Sequence, residues 1–418
     1  MSPATELRLF LLAAAALVLH LLDDLVLQPP PGTSAGDHAT AILVTVGAAV
    51  AGAALFGLLP AGARGALALV FGALTLVGGA LHVGHLFVDS PSGSDFTGLL
   101  LVPAGLVFVG VGAHALRRGP KPASARRRWL KRAGELVVAI LVAFYVVLPV
   151  GVAMYVTHKP KVPVAADDLR IPHENLTLTA ADGVRLGAWY VPSGNGAAVL
   201  LLHGSGGSRN GLRLHAELLA EHGYGLLMYD ARGRGESEGA PNGYGWSAQP
   251  DVDAGLAFLE ARPDVEEGRI GVLGLSMGGE VALQAAARTS VIAAVVADGA
   301  GIRSFADARA IMDGAEAWVS LPQLWAQFAA TRVLSGDASP PPLDGLVAEI
   351  APRPLLLVAA GEGVGGEQEM NRLLAREAGP SAELWELPGI AHTKGLAERP
   401  GEYEERVVGF LDDALLGR

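Results

Sequence analysis

Two glycine-flanked serines and one late histidine are the residues of this sequence whose types and spacing suit chemistry. Gly274-Leu275-Ser276-Met277-Gly278-Gly279 follows an apolar run and opens an alanine-rich stretch with helical spacing. A G-x-S-x-G turn between a strand and a helix exposes its serine oxygen at the tip of a sharp reversal. The glycines two before and two after Ser276 remove side chains that would block that reversal. The backbone N–H of Met277 would then face an oxyanion developing on a carbonyl attacked by the serine. A second turn, His203-Gly204-Ser205-Gly206-Gly207, ends an earlier apolar run, and its Ser205 N–H is the candidate second oxyanion donor. The base should be an imidazole, which titrates near neutrality. His392, in Pro388-Gly389-Ile390-Ala391-His392-Thr393, lies on a loop after the last apolar run and is chosen. His203 is read as a brace for its own turn, and His215 and His222 as surface residues of a helix.

The elements that must position these residues begin at about Glu174. Strands are predicted over 176–179 and 184–191, a hairpin around Asp182-Gly183, and then over 197–202, 225–229, 269–275, 292–297, 355–360 and 383–387. Helical patterns over 211–222, 252–261, 277–288, 369–378 and 402–416 alternate with them. Such alternation predicts an α/β fold, with a mostly parallel sheet covered by helices on both faces and a site at the carboxyl ends of its strands. Residues 301–349 form an insertion with helical character, carrying Trp318, Trp325 and Phe328. It is either a cap whose aromatics bind an acyl chain or a packed helix pair.

On these motifs the region from about residue 170 to 415 resembles the α/β-hydrolase superfamily, in its serine esterase, lipase and S33-type peptidase branch. The matching pieces are the HGSGG turn, Asp230-Ala231-Arg232-Gly233-Arg234-Gly235-Glu236-Ser237, the GLSMGG elbow and the PGIAHT loop. The resemblance implies a triad in the chain order Ser…acid…His. It makes the Asp230–Ser237 segment a structural turn. It also implies an Asp a few residues past the seventh strand, where this sequence has Val364. Glu367, which ends the glycine-rich run Gly361–Gly366 and opens a helix, is the expected substitute, its longer side chain making up the distance. Glu362 and Asp298 are the alternatives. The same run matches G-x-G-x-x-G, but no βαβ unit follows it, so no dinucleotide site is expected.

The first 160 residues differ in kind. Of the 418 residues only 17% are charged, and the mean hydropathy is +0.38, too apolar for an ordinary soluble enzyme. Five stretches, 7–27, 39–59, 66–88, 98–116 and 136–156, are long enough to cross a bilayer. They predict an all-α transmembrane domain over 1–160 ahead of a hydrolase domain over 170–418. The breaks carry turn chemistry, Pro29-Pro30-Pro31-Gly32, Pro60-Ala61-Gly62 and Asp89-Ser90-Pro91-Ser92-Gly93. Arg117, Arg118, Lys121, Arg126, Arg127, Arg128, Lys131 and Arg132 crowd one loop, which the positive-inside rule places in the cytoplasm. The hydrolase domain is then extracytoplasmic. His20, Asp23, Asp24, His82, His85 and His114 lie within the spans. His82 and His85 share a helix face and could ligate a metal or haem; otherwise these groups sit near span ends or pair with one another.

A net charge of −11 gives no basic footprint for nucleic acid, and the absence of cysteine excludes disulfides and thiolate metal sites. The expectation is a multi-pass membrane-anchored serine hydrolase, without cofactor or metal in its hydrolase site. It would cleave a carboxylic ester, thioester or amide of an apolar or lipid-like acyl substrate. The alternatives are a membrane sensor or transporter whose second domain only binds, and an acyltransferase.

Overall fold

The computed structural model describes residues 1–30, 33–88, 93–118, 124–159, 161–162, 164, 169–240 and 243–418. Pro31, Gly32, residues 89–92 and Lys121, used above for two breaks and the basic loop, lie outside the described residues. The chain forms two compact units, Met1–Pro160 with Pro322–Gly336, and Lys161–Leu321 with Asp337–Arg418.

In the first unit, α1 (Pro3–Leu22) starts on a Ser2 cap, whose hydroxyl accepts from Thr5 N–H at 3.1 Å, and runs into a π turn over Asp23–Leu27. Then come α2 (Ala39–Phe56), α3 (Ala61–Val88), the short α4 (Gly93–Gly98), α5 (Leu101–Arg117), α6 (Ala125–Val142) and α7 (Leu148–Thr157). Among the described residues, five helices are long and apolar enough to cross a membrane: Pro3–Leu27, Ala39–Phe56, Ala61–Leu86, Gly93–Arg117 and Ala125–Thr157. The last begins well before the predicted residue 136. Ser124 caps it by accepting from Arg127 N–H at 3.2 Å, so the basic run Arg126–Arg132 lies on helix.

Phe10 stacks on Phe56 at 4.3 Å between ring centres and meets Phe108 edge-on at 4.9 Å in the centre of this unit. Leu12, Leu19, Leu43 and Leu58 face outward. Helices α3 and α5 meet along small residues. A Cβ at Gly72 would lie 3.1 Å from the Gly105 carbonyl oxygen, and one at Gly105 3.2 Å from that of Gly72. Such near-touching backbones are how helices associate in lipid, where burial of apolar surface gives no drive.

The second unit is an eight-stranded sheet of β1 (Glu174–Thr179), β2 (Arg185–Val191), β3 (Ala198–Leu202), β4 (Gly225–Tyr229), β5 (Ile270–Leu275), β6 (Ile292–Asp298), β7 (Leu355–Glu362) and β8 (Ala382–Ala391). The order is β1-β2-β4-β3-β5-β6-β7-β8, with β2 antiparallel to both of its neighbours, β1 and β4, and the remaining pairs parallel. Alternation along each strand sorts its residues to two cores. Leu200, Val272, Val295 and Leu357 face α9 (Gln249–Glu260), α10 (Met277–Arg288) and their neighbours. Leu201, Leu273, Val296 and Leu356 face α8 (Arg213–Glu221) and the C-terminal helix Pro400–Leu411.

Three features of this unit differ from expectation. His215 is buried rather than on the surface, because it shares the inward stripe of α8 with Leu212, Ala216 and Leu219 and meets Tyr403 edge-on at 5.5 Å. His222 is partly exposed and pairs with Glu404 at 2.9 Å. Strand β8 continues past Leu387 to Ala391, since its pairing with β7 extends to Glu362↔Ala391. The insertion folds as α11 (Phe305–Ile311), α12 (Gly314–Ser335) and α13 (Leu343–Ile350), and from Pro322, inside α12, to Gly336 its chain belongs to the first unit. Trp318 and Trp325 are 84% and 59% exposed, whereas Phe328 is buried.

Candidate active site

The register between β5 and β6 sets Leu275 beside Asp298, so the chain reverses into α10 at Ser276 on the carboxyl edge of the sheet. Ser276 holds φ 53° and ψ −122°, a strained conformation for a residue with a side chain. Its N–H donates to the Asp298 carbonyl at 2.7 Å, and its own carbonyl accepts from Gly279 N–H at 2.8 Å. The flanking glycines are required by space. A Cβ at Gly274 would sit 2.1 Å from the Gly278 carbonyl oxygen, and one at Gly278 2.2 Å from that of Leu202.

Ser276 Oγ lies 2.9 Å from His392 Nε2, and His392 Nδ1 lies 2.6 Å from Glu367 Oε2. With Nδ1–H donating to the carboxylate, Nε2 is left to accept from the serine hydroxyl. Glu367 is buried, and its Oε1 accepts from Ala360 N–H at 2.7 Å. The glycine-rich run folds around this carboxylate: a Cβ at Gly363 would lie 2.3 Å from Glu367 Oε2, and Gly366, at φ 71°, caps α14 (Glu367–Ala378). The hydrogen bond to Glu367 raises the His392 pKa above its ordinary 6.5, against the opposing effect of burial.

Glu362 ends β7 exposed to solvent. Asp298 is buried and accepts from the Tyr403 hydroxyl at 2.9 Å; burial pushes its pKa up to about 7. His203 is engaged on both nitrogens, Nδ1 donating to the Gly204 carbonyl at 2.8 Å and Nε2 accepting from Ala231 N–H at 3.0 Å. Its turn lies against the elbow, since a Cβ at Gly204 would be 3.3 Å from Ser276 Cβ. Ser205 follows in that turn, and Met277 is the first residue of α10, where an N–H has no carbonyl partner within its own helix.

Two residues beside the imidazole are not marked by a motif in the sequence. Gly299, at φ +80°, gives room for the imidazole, because a Cβ there would lie 2.9 Å from His392 Cε1. The Asp-Gly step after β6 was its only signal. Glu280, in the first turn of α10, is buried with Gly301 N–H donating to it at 3.1 Å. Burial pushes its pKa up to about 7, with the charge of Arg303 opposing. Nothing in its spacing marked it. The Asp230 turn is held by ion pairs: Asp230 is paired with Arg209, and Arg232 Nη2 donates to Asp251 at 2.6 Å.

The strand order and the elbow on its carboxyl edge define an α/β-hydrolase. Residues 157–380 match the X-Pro dipeptidyl-peptidase family, S15, and the chain belongs to that family. The matched region includes Ser276 and Glu367 and ends before His392. Among its relatives, the protein YfhR of Salmonella typhimurium is 28% identical over 252 residues, 58% of this chain and 82% of that protein. The α/β hydrolase domain-containing protein WAV2 of Arabidopsis thaliana is 32% identical over 148 residues, 34% of this chain and 47% of that protein. The esterase Pf2001 of Pyrococcus furiosus superposes with a TM-score of 0.50 at 26% identity, covering 61% of this chain and 98% of the esterase. The chain is therefore a hydrolase, with the fold of the esterase Pf2001.

Proposed function

We propose that Ser276, His392 and Glu367 are the catalytic triad of a membrane-anchored serine hydrolase acting on apolar or lipid-like acyl substrates. The observation that carries this reading is the continuous relay from Ser276 Oγ to His392 Nε2 at 2.9 Å and from His392 Nδ1 to Glu367 Oε2 at 2.6 Å. Ser276 Oγ attacks the carbonyl carbon while its proton passes to His392 Nε2, and Glu367 stabilises the imidazolium so formed. The carbonyl oxygen, now negative, accepts from the N–H groups of Met277 and Ser205. His392 gives its proton to the departing oxygen, sulfur or nitrogen, leaving an acyl-serine. Water, deprotonated by the same nitrogen, then releases the acid and restores Ser276.

The membrane assignment rests on the five apolar helices. The placement of the hydrolase unit outside the cytoplasm rests on the basic residues Arg117–Arg118 and Arg126–Arg132. Preference for an ester over the amide bond in the family's name rests on those helices, on the exposed Trp318 and Trp325, and on the likeness to Pf2001. Transfer of the acyl group to an acceptor other than water is the second reading. It is favoured by the polyketide transferase GrgF of Penicillium sp, 31% identical over 138 residues, 30% of this chain and 45% of that protein.

The test is fluorophosphonate labelling of the purified full chain, followed by turnover of p-nitrophenyl esters of increasing chain length and of X-Pro p-nitroanilides. Labelling should be complete in the native protein and absent in Ser276→Ala, with esters turned over faster than anilides. Labelling that persists in Ser276→Ala sinks the triad, and faster turnover of the anilides sinks the ester preference.

A further inference from the structure

The first unit contains a second cluster of chemistry-bearing side chains that the hydrolase reading leaves unused. His20, near the end of α1, and His82, on α3, are both buried, and their Nε2 atoms face each other at 3.0 Å. What lies on the far side of each ring fixes the proton there. His82 Nδ1 faces Asp95 Oδ1 at 3.0 Å, and an ionised carboxylate only accepts, so that nitrogen carries the hydrogen. His20 Nδ1 faces Thr97 Oγ1 at 3.1 Å. The single Thr97 hydroxyl hydrogen is directed to acceptors, Asp23 Oδ2 at 2.7 Å or the Ser94 carbonyl at 3.0 Å. Thr97 therefore offers His20 a lone pair, and His20 Nδ1 also carries the hydrogen. With the Thr97 hydrogen on Asp23 and the Asp95 carboxylate ionised, the two neutral imidazoles point bare Nε2 lone pairs at each other.

That arrangement is repulsive unless a proton or a cation lies between the nitrogens. Two metal–nitrogen bonds of about 2.05 Å at the tetrahedral angle span about 3.3 Å, so an opening of a few tenths of an ångström admits a zinc-sized ion. A third ligand is in place: the ligand atoms of His20, Asp24 and His82 all lie within 4.8 Å of one another. His20 and Asp24 are a helical turn apart on one face, where α1 widens into its π turn, a form of helix common at functional sites. His82, His85 and Asp95 also bring ligand atoms within 4.8 Å of one another, but His85 turns its Nδ1 to Asp95 Oδ1 and its Nε2 to the His158 carbonyl, each at 3.0 Å, and neither to the His20–His82 contact.

From this geometry we infer that His20, Asp24 and His82 form a divalent transition-metal site of the zinc class within the helical unit. Its fourth position is open to water, and Asp95 and Thr97 orient the two imidazoles. Donation of the second ring N–H to a carboxylate or an oxygen is the usual support for a metal-bound histidine. The nitrogen and carboxylate donors suit zinc, cobalt or nickel rather than calcium or cuprous copper. The site is independent of the serine chemistry.

The test uses the full chain in detergent, purified on an affinity tag without histidines, loaded with zinc and desalted. One zinc per chain should be retained, and Co2+ in its place should give the visible bands of a four-coordinate ion. Zinc should be lost in His20→Ala and His82→Ala and kept in His114→Ala, whose ring lies against Met1. If the alanine variants aggregate, Asp24→Asn and Asp95→Asn decide. The first should weaken Co2+ binding at least tenfold, and the second, acting only through the His82 ring, roughly 10–100-fold. Retention of less than half an equivalent by the native protein, or undiminished binding in Asp24→Asn and Asp95→Asn, overturns the proposal. A shared proton would then be what joins the two nitrogens.

Discussion

Glu367→Gln separates the orienting role of the acid from its space-filling one. Glutamine fits the same buried place, and its amide oxygen can keep the 2.7 Å bond from Ala360 N–H. Its NH2 group is then directed at His392 Nδ1, where Glu367 Oε2 now sits at 2.6 Å. Two donors cannot share that contact, so the imidazole must move its hydrogen to Nε2. A protonated Nε2 cannot take the Ser276 proton, and no carboxylate remains to stabilise the imidazolium. Both losses fall on the transition state, so kcat should drop by about 10³–10⁴, or about 4–5.5 kcal/mol, with KM little changed. The pH profile supplies an independent check. His392 must be neutral to act as base, so kcat/KM falls as pH drops through its pKa. The hydrogen bond to Glu367 is what holds that pKa above 6.5; without it the residual activity should lose its acid limb only at lower pH. The assay is p-nitrophenyl acetate hydrolysis from about pH 5 to 9, with a thermal melt to verify folding. Exposed Glu362→Gln, and Asp298→Asn, which retains an acceptor for the Tyr403 hydroxyl, are the controls. Turnover within about tenfold of native in Glu367→Gln, with an unmoved acid limb, would refute the reasoning.

Protease added to intact spheroplasts should remove the hydrolase unit and spare Arg126–Arg132; protection of that unit until the membrane is opened reverses the orientation. Trp318→Ala and Trp325→Ala should leave the melting temperature unchanged, given their exposure, while lowering turnover of long-chain esters more than acetyl esters. Equal loss on both chain lengths would speak against an apolar lid. His215→Leu should stabilise the fold by about 1–3 kcal/mol, because both ring nitrogens of His215 are buried without a hydrogen-bond partner. A lower melting temperature would show that the contact with Tyr403 outweighs that penalty.

How much of this was legible follows from the range of each signal. The elbow could be read because its glycines, strand and helix are contiguous, and clashes near 2 Å leave no alternative residue at Gly274 or Gly278. The sheet was legible because β3, β4 and β5 are buried on both faces and read as unbroken apolar runs. The choice among Glu367, Glu362 and Asp298 depended on long-range facts, above all the β7–β8 register and the positive φ of Gly366. The burial of His215 is encoded in its spacing from Leu212 and Leu219, which puts it on the inward stripe of its helix although its residue type suits the surface. The pairing of His20 with His82 joins residues 62 apart on two helices, and no local pattern encodes it.

The extension of β8 to Ala391 alters what kind of loop carries His392, the proposed base. Glu362 and Ala391 are paired across β7 and β8, and the acid departs from the first and the base from the second. One pair of strands is therefore a common mounting for both, so a shift of the sheet edge moves His392 and Glu367 together and preserves their separation. Ser276 is mounted two strands away, past β6. The soft coordinate of this site is thus the distance from serine to imidazole, while the distance from imidazole to carboxylate is stiff. Evolution can vary the insertion between β6 and β7 widely, since its length enters neither distance, whereas one added residue between Glu362 and Glu367 would detune the base directly.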